Sequence, residues 1–578
     1  MRGRLRPARR RAAAGALVAL AALAAGPASA MRGADGRLNI VYWQTVATMN
    51  PYLATGTADI DAAGLALEAL ARFDDKGAIT PYLAAEIPTA ENGGVAADRK
   101  SITWRLKPDV RWSDGSPFTA HDAVFTWEYC THPDFGCAQE SYLDSVAGMV
   151  ALNDHTLKIS FDGPKSVPHM ALVGAEAPIL QKRQFADCLG AAAPACTAQN
   201  FRPNGTGPFR VVEFAPHDTV LFEANPHYRE PEKPAFASVL FKSGGDAESA
   251  ARAVLRTGEF DYAWNLQIPP AILTEMEAAG QGEVLVAFGA AVERIHVNFT
   301  DPDPRLGPDL RSVRLADGSN RHPILHDRRV RRALARAIDT EALVEIGYGR
   351  TGKPTCNLIP GPDIYVSRAN DECLTRNPEE ARQLLDEAGW IPGPDGVRAK
   401  DGRRLALLFT STTNTIRQEA QSLIKSWWEA IGVEVELRAV PSGVFFGGDP
   451  ASPDTHARFY ADLSMYTSNF AGVDPEAYLA SWTCEKTPLP ENQWRGENIN
   501  RWCDADYDAL AAQLAQTAGE AARAGIVRRM NDMLVGEYVV IPLVHRSLTS
   551  ARSGALEGVR LNAWDTGLWN IADWRRAR

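Results

Sequence analysis

From residue 37 onward the chain alternates stretches with the period of a β-strand and stretches with the period of an α-helix, and no other feature narrows the fold as much. "RLNIVYWQ" (37–44) reads as a strand and "DIDAAGLALEALARFD" (59–74) as an amphipathic helix. "SITWRLKPDVRW" (101–112) alternates like a strand interrupted at Pro108, and "HTLKISFD" (155–162) is another strand. "GTGPFRVVEF" (205–214) and "DTVLFEAN" (218–225) predict a hairpin around "APHD". "VRRALARAIDTEALVEIG" (330–347) has helical spacing, with Asp339 placed to cap a second turn inside it. "NPEEARQLLDEAG" (377–389) has Asn377 as N-cap, Pro378 at the first helical position and Gly389 at the end. "LALLFTS" (405–411), "TIRQEAQSLIKSWWEAIG" (415–432) and "VEVELRAV" (433–440) read as strand, helix, strand. Such alternation predicts an α/β class with mixed sheets. The Pro/Asp/Gly-rich stretch 300–327 and the turn-rich 391–404 read as loops.

The first thirty residues differ from the rest. Six Arg between positions 2 and 11 are followed by "AAAGALVALAALAAG" and then "ASA" at 28–30. That order predicts a secretory signal peptide cut after Ala30, with no cysteine there to accept a lipid. Without it, 55 basic residues face 71 acidic ones, a formal charge of −16. Such a chain, with no basic stripe, is not built to bind nucleic acid. No later stretch is long and apolar enough for a transmembrane helix. In an exported chain an even number of cysteines favours disulfides. Eight cysteines permit many connectivities, and sequence does not choose among them. The simplest expectation pairs neighbours: Cys130 with Cys137, Cys188 with Cys196, Cys356 with Cys373 and Cys484 with Cys503. Each such loop would stabilise by about 2–3 kcal/mol.

One stretch carries the residue types of a hydrolase. "RWSDGSPFTAHDAVFTWEY" (111–129) holds Ser113, Asp114, Ser116, His121 and Asp122. However, "SDGSP" is a run of turn formers, and Thr119 with Asp122 fits a capping box. No G-x-S-x-G elbow occurs anywhere in the chain. "GYGRTGKP" (347–354) resembles a phosphate loop but has Pro354 where a hydroxyl residue would hold magnesium, and it follows a helix. There is no H-E-x-x-H and no Cys-x-x-Cys, and the pair His322/His326 stands in a loop-like stretch. Neither catalytic residues, a metal site nor a cofactor is expected.

Five ordered segments resemble the extracytoplasmic solute-binding proteins of ABC importers, family 5, the peptide/nickel class. They are "WSDGSPFTAHDAVFTWEY", "NGTGPFRVVEF" (204–214), "VRRALARAIDTEALV" (330–344), "NPEEARQLLDEAGW" (377–390) and "IPLVHRS" (541–547). The resemblance implies a two-lobed fold of the cluster C type, with mixed sheets, a hinge and ligand enclosed between the lobes. It implies a first lobe from 31–80, 205–300 and 545–578, an extra subdomain over 81–204, and a second lobe over 301–544. Crossings are expected near "HVNFT" (296–300) and "PLVHR" (542–546). The implied protein is a periplasmic monomer that delivers an oligopeptide or similar solute to permease subunits with their ATPases.

Cleft residues are expected at strand ends: Trp43, Trp264, Asn265, Thr412, Tyr466, Asn469, Phe470 and Asp474. In peptide-binding members an Asp three residues before the Asp-Pro pair meets the peptide's α-amine; here that position is Ala471. A buried ammonium needs a compensating charge, which Asp474 could supply. Failing that, the ligand would be an oligosaccharide or an opine-like conjugate. The reading of another class is a secreted hydrolase.

Overall fold

The computed structural model describes Gly3 and residues 31–577 apart from Thr55, Asp144, 448–450, Ala471 and Ala518. The leader, Gly3 aside, and Ala471 therefore lie outside the described residues. One 11-stranded mixed sheet runs through both lobes. Its strands are β1 (Arg37–Tyr42), β2 (Phe209–Ala215), β3 (Thr219–Ala224), β4 (Ser238–Ser243), β5 (Tyr262–Trp264), β6 (Gly282–Val297), β7 (Gly352–Pro354), β8 (Ala406–Thr412), β9 (Glu434–Val440), β10 (Leu463–Ser468) and β11 (Val540–Ser553). Across the sheet the order is β9-β8-β10-β6-β11-β5-β1-β4-β3-β2, with β7 paired to β11.

Two of these strands hold the lobes together. β6 and β11 are 16 and 14 residues long, against about 5–6 for an ordinary strand. Gly282–Phe288 pairs with Ser547–Ser553 on the side of β5, while Val292–His296 pairs with 540–545 on the side of β10. Between these two ladders the register jumps from Phe288/Ser547 to Val292/His545. Three residues of one strand thus face one residue, Arg546, of the other. A bulge bends its strand and raises the local twist, so the sheet turns here from one lobe into the next. Gly289 suits the position because a Cβ there would lie 2.4 Å from the Ala563 carbonyl oxygen.

Apolar faces fill in around this frame. Leu38, Ile40, Tyr42 and Phe241 share one core with Ile102, Trp104, Leu157 and Ile159 of a separate three-stranded sheet (Ser101–Arg105, Val146–Asn153, Thr156–Phe161). In the second lobe the helices Arg328–Ala337 and Thr415–Glu429 cover one face. The helices Ala505–Gln516 and Glu520–Gly536 cover the other. All four neighbouring cysteine pairs form disulfides.

Two local expectations change. The helix over 59–74 stops early: it spans Thr57–Ala63, and Ala71–Phe73 becomes a short strand. After Gly64 the carbonyls of Leu65 and Ala66 accept from the amides of Phe209 and Gly207, at 3.1 and 2.8 Å. That approach is open because Gly205 and Gly207 carry no Cβ against Ala66. Tertiary hydrogen bonds here override helix propensity. The loop over 391–404 contains a three-stranded sheet of very short strands, Ile391–Pro392, Arg398–Lys400 and Arg403–Arg404.

The hydrolase-like stretch is a turn and a helix start. Helix Ala120–Cys130 begins after Thr119, whose amide donates to Asp122 Oδ2 at 2.9 Å. Asp114 accepts from Ser116 and from Gln181, Ser113 donates to Asn204, and His121 is exposed.

Candidate ligand-binding cleft

Strand ends from both lobes converge beside the bulge. β1 and β5 run parallel and finish together at Tyr42 and Trp264, so Trp43 and Asn265 emerge side by side. Trp43 Nε1 donates to the Asn265 carbonyl at 2.8 Å. The Trp264 ring stacks on Tyr42, with centroids 4.6 Å apart and planes at 2°; Trp43 lies 6.4 Å away. Asn265 has φ +56°, in the left-handed region, which Asn tolerates better than most residues. Its side-chain oxygen accepts from Arg546 Nη2.

The second lobe supplies the other half. Asn414 caps the helix after β8 by accepting from the Arg417 amide at 3.1 Å. The Arg417 side chain donates from Nε and Nη2 to Glu293 at 2.9 and 3.3 Å. It also donates to Thr412 Oγ1 at 3.0 Å and to Thr467 Oγ1 at 3.1 Å. Arg546 Nη1 donates to the same Thr467 oxygen at 3.2 Å. Gln267 is best satisfied with its amide oxygen toward Arg546 and Asn265. Glu293, Arg417 and Arg546 are all buried, and together they carry one net positive charge. Burial, and then Arg417, pull the Arg546 guanidinium down to about 10, so it is still a cation at neutral pH. Each buried polar side chain of this network has a hydrogen-bond partner. Charged hydrogen bonds of this kind are the strong ones.

A second polar cluster lies where the lobes close on each other. Asp61 is 1% exposed; its Oδ2 accepts from the Tyr42 hydroxyl at 2.7 Å. Its Oδ1 is buried and has no partner, as is Oε2 of Glu176. Arg72 pairs with Asp565 through Nη2–Oδ1 and through Nε–Oδ2 at 3.1 Å, and donates to Thr566 at 2.9 Å. Burial is the main cause that pushes both Asp61 and Glu176 up to about 7. Asp565 and Glu176 add to the effect on Asp61, and Asp565 to that on Glu176. Tyr142, in the extra sheet's region, is held well above the usual phenol range by burial and by Glu176, Glu497 and Asp565. Nearby, the Gly472 amide of the second lobe donates to the Trp564 carbonyl at 2.6 Å. Gly472 has φ +70°, and a Cβ there would meet the Phe73 ring at 2.6 Å. Farther along the rim, Lys165 lies 3.9 Å from Glu476, and Ser166 Oγ donates to the Ala515 carbonyl at 3.3 Å. The molecule is in a closed form.

Of the residues singled out from sequence, Trp43, Trp264, Asn265 and Thr412 meet in the hinge-side network. Tyr466 stacks on His296, at 4.5 Å and 10°, and borders Phe445, Phe446 and His456. Phe470 is buried 5.2 Å from Tyr478, while Asn469 is exposed. Asp474 accepts from Arg523 Nε and Nη2 at 2.9 and 2.6 Å and from the Glu476 amide at 3.0 Å. Its carboxylate therefore holds the second lobe together. Among the described residues no group of three or more His, Cys, Asp or Glu is placed to hold a metal.

Sequence reading missed Glu293, Arg417, Thr467, Arg546, Asp61 and Glu176. A signal existed for several of them. Glu293 and Arg546 interrupt apolar strands, and Arg417 falls on the buried face of its helix with Ile416, Ala420 and Ile424. A charge on a buried face needs a partner or a ligand.

A lobe-spanning sheet, a bulged two-strand hinge and a polar cleft between closed lobes agree with what sequence comparison finds. Residues 78–488 match the family model for bacterial extracellular solute-binding proteins, family 5. The chain belongs to this family. The family 5 chain is 29% identical over 392 residues to protein XP55 of Streptomyces lividans, a match covering 68% of this chain and 64% of that one. It is 22% identical over 528 residues to the dipeptide-binding protein of Pseudomonas aeruginosa, covering 88% and 89%. Among solved structures, it superposes on the oligopeptide-binding protein AppA of Bacillus subtilis, in complex with a nonapeptide, with a TM-score of 0.80. That likeness covers 95% of this chain and 100% of AppA at 19% identity, and it shows the shared fold. No helix among the described residues of the family 5 chain is long and apolar enough to cross a membrane.

Proposed function

We propose that the chain is the exported binding component of an ABC importer, a monomer that captures a peptide between its lobes and presents the closed form to permease subunits with their ATPases. The observation that carries this reading is the hinge. Among the described residues β6 and β11 run from one lobe into the other, their register jumps between Phe288 and Val292 and shifts again between Glu293 and Arg294, and polar side chains from both sides meet there. Such a device closes around a ligand, and the binding energy shifts an open–closed equilibrium that a permease can read. Names of relatives support peptide as the ligand. Four disulfides fit an oxidising compartment outside the cytoplasm, reached after cleavage at Ala30. Lobe boundaries near 80, 205, 300 and 545 follow the same reading. The chain performs no catalysis.

Native mass spectrometry of the purified protein with a random tripeptide library tests this. A 1:1 complex whose peptide is released unchanged on unfolding is the expected result. Cleaved peptides would move the chain to the hydrolases, and no complex with any peptide would remove peptide as the ligand class.

A further inference from the structure

We infer that Asp61 and Glu176, backed by Asp565 and Arg72, form the subsite for a cationic group of the ligand, a primary ammonium. This rests on the peptide-binding reading above and names the end of the ligand that the first lobe recognises.

The argument starts from an unbalanced set of partners. Three carboxylates share one guanidinium, and Asp565 takes it through two nitrogens. Asp61 and Glu176 feel that guanidinium only at a distance, because its hydrogen bonds go to Asp565 and Thr566. Asp61 keeps one oxygen on Tyr42 and the other, Oδ1, on nothing. Glu176 likewise has a buried oxygen, Oε2, with no partner. Leaving a buried acceptor without a donor is costly, and more so when the group is charged. A ligand donor that reached both oxygens would remove that cost.

The geometry selects the chemistry. The two open oxygens belong to different carboxylates, on the helix Thr57–Ala63 and on the loop at 176. The diverging N–H bonds of an ammonium can serve two such acceptors at once. A guanidinium prefers both oxygens of one carboxylate, and on Asp61 the second oxygen already accepts from Tyr42. Position supports the assignment as well. The cluster sits beside Phe73 and Trp564, the lobe I wall that Gly472 docks against on closure, so lobe closure shields the ion pair from water. Asp474 does not serve this purpose, because Arg523 holds both its oxygens.

The test uses random tripeptide libraries without Lys or Arg, offered to the intact protein with free or acetylated N-termini, and read by native mass spectrometry with titration of retained species. The wild type is expected to prefer free amines by at least about tenfold. Glu176→Gln, and separately Asp61→Asn, should shrink that ratio several-fold while circular dichroism and melting show an intact fold. A third library, acetylated but containing Lys, separates two sources of the cation. Binding that depends on Lys, and is weakened by Glu176→Gln, assigns the subsite to a side-chain ammonium and still supports it. Equal binding of acetylated, Lys-free peptides would overturn the inference and leave the peptide reading standing. No binding from any library would overturn both.

Discussion

The two polar clusters of the cleft both set carboxylates against guanidinium groups, in opposite proportion, and are solved differently. At the hinge, Glu293, Arg417, Arg546, Thr412, Thr467 and Asn265 satisfy one another. Beside Phe73 and Trp564, Asp61 and Glu176 each keep a buried oxygen without a partner. Burial alone does not tell function from structure, since Asp61 is as buried as Glu293 and Arg417. The two clusters differ in how completely their partners are met. The complete network ties strand ends of two lobes across the bulge and belongs to the scaffold, whereas the incomplete one is shaped for something the protein does not supply.

The contrast breaks first at Glu293. Glu293→Gln leaves Arg417 and Arg546 buried without a carboxylate, and removing one member of a buried charged set costs about 3–5 kcal/mol. Denaturant unfolding at neutral pH should show that loss.

The acidic cluster should respond with the opposite sign. Glu176 is held near 7 in the folded protein against an ordinary value near 4.5. Between those values the folded state binds more protons than the unfolded one, so this group lowers stability as pH rises from about 4 to 7. Glu176→Gln should therefore raise the unfolding free energy at pH 8, on the order of 2 kcal/mol, with the gain fading toward pH 4. A loss at pH 8 would make Glu176 part of the scaffold and erase the contrast. Ligand binding carries the matching sign: a cation is favoured by ionised carboxylates, so affinity for an amine peptide should rise between pH 6 and pH 8. Arg72, Asp565, Tyr42, Tyr142 and Tyr262 face these carboxylates.

A smaller effect is expected where the first lobe joins the hinge network. Asn265→Ala removes an acceptor from Arg546 and keeps a Cβ at φ +56°, costing about 1–2 kcal/mol in unfolding experiments. Asn265→Gly should recover part of it by relieving the backbone. The smallest effect belongs to the hydrolase-like stretch. His121→Ala, at an exposed helix start, should change stability by less than about 0.5 kcal/mol and leave ligand binding unchanged.

Much of the frame was legible in the sequence, for physical reasons. Strands β8 and β9 with the helix between them, and Asn377 and Asp339 as caps, follow from local periodicity and capping chemistry. The adjacent cysteine pairs form as expected. Segment 59–74 was not legible, because its turn after Gly64 is dictated by Gly205 and Gly207, distant in sequence. The cleft was legible only in part. Trp43, Trp264, Asn265 and Thr412 stand at strand ends, where sequence can place them. Asp61 and Glu176 sit in apolar surroundings and gain meaning only when Arg72 and Asp565, from opposite ends of the chain, are beside them. Pairing across such separations is set by topology, not by local pattern.

The account rests on lobes that close around a peptide. Small-angle X-ray scattering of the ligand-free protein, before and after addition of the free-amine tripeptide library, measures that most directly. The account predicts a smaller radius of gyration with peptide, toward the value of the closed structure. An unchanged radius of gyration in a sample that mass spectrometry shows to be saturated with peptide would contradict it.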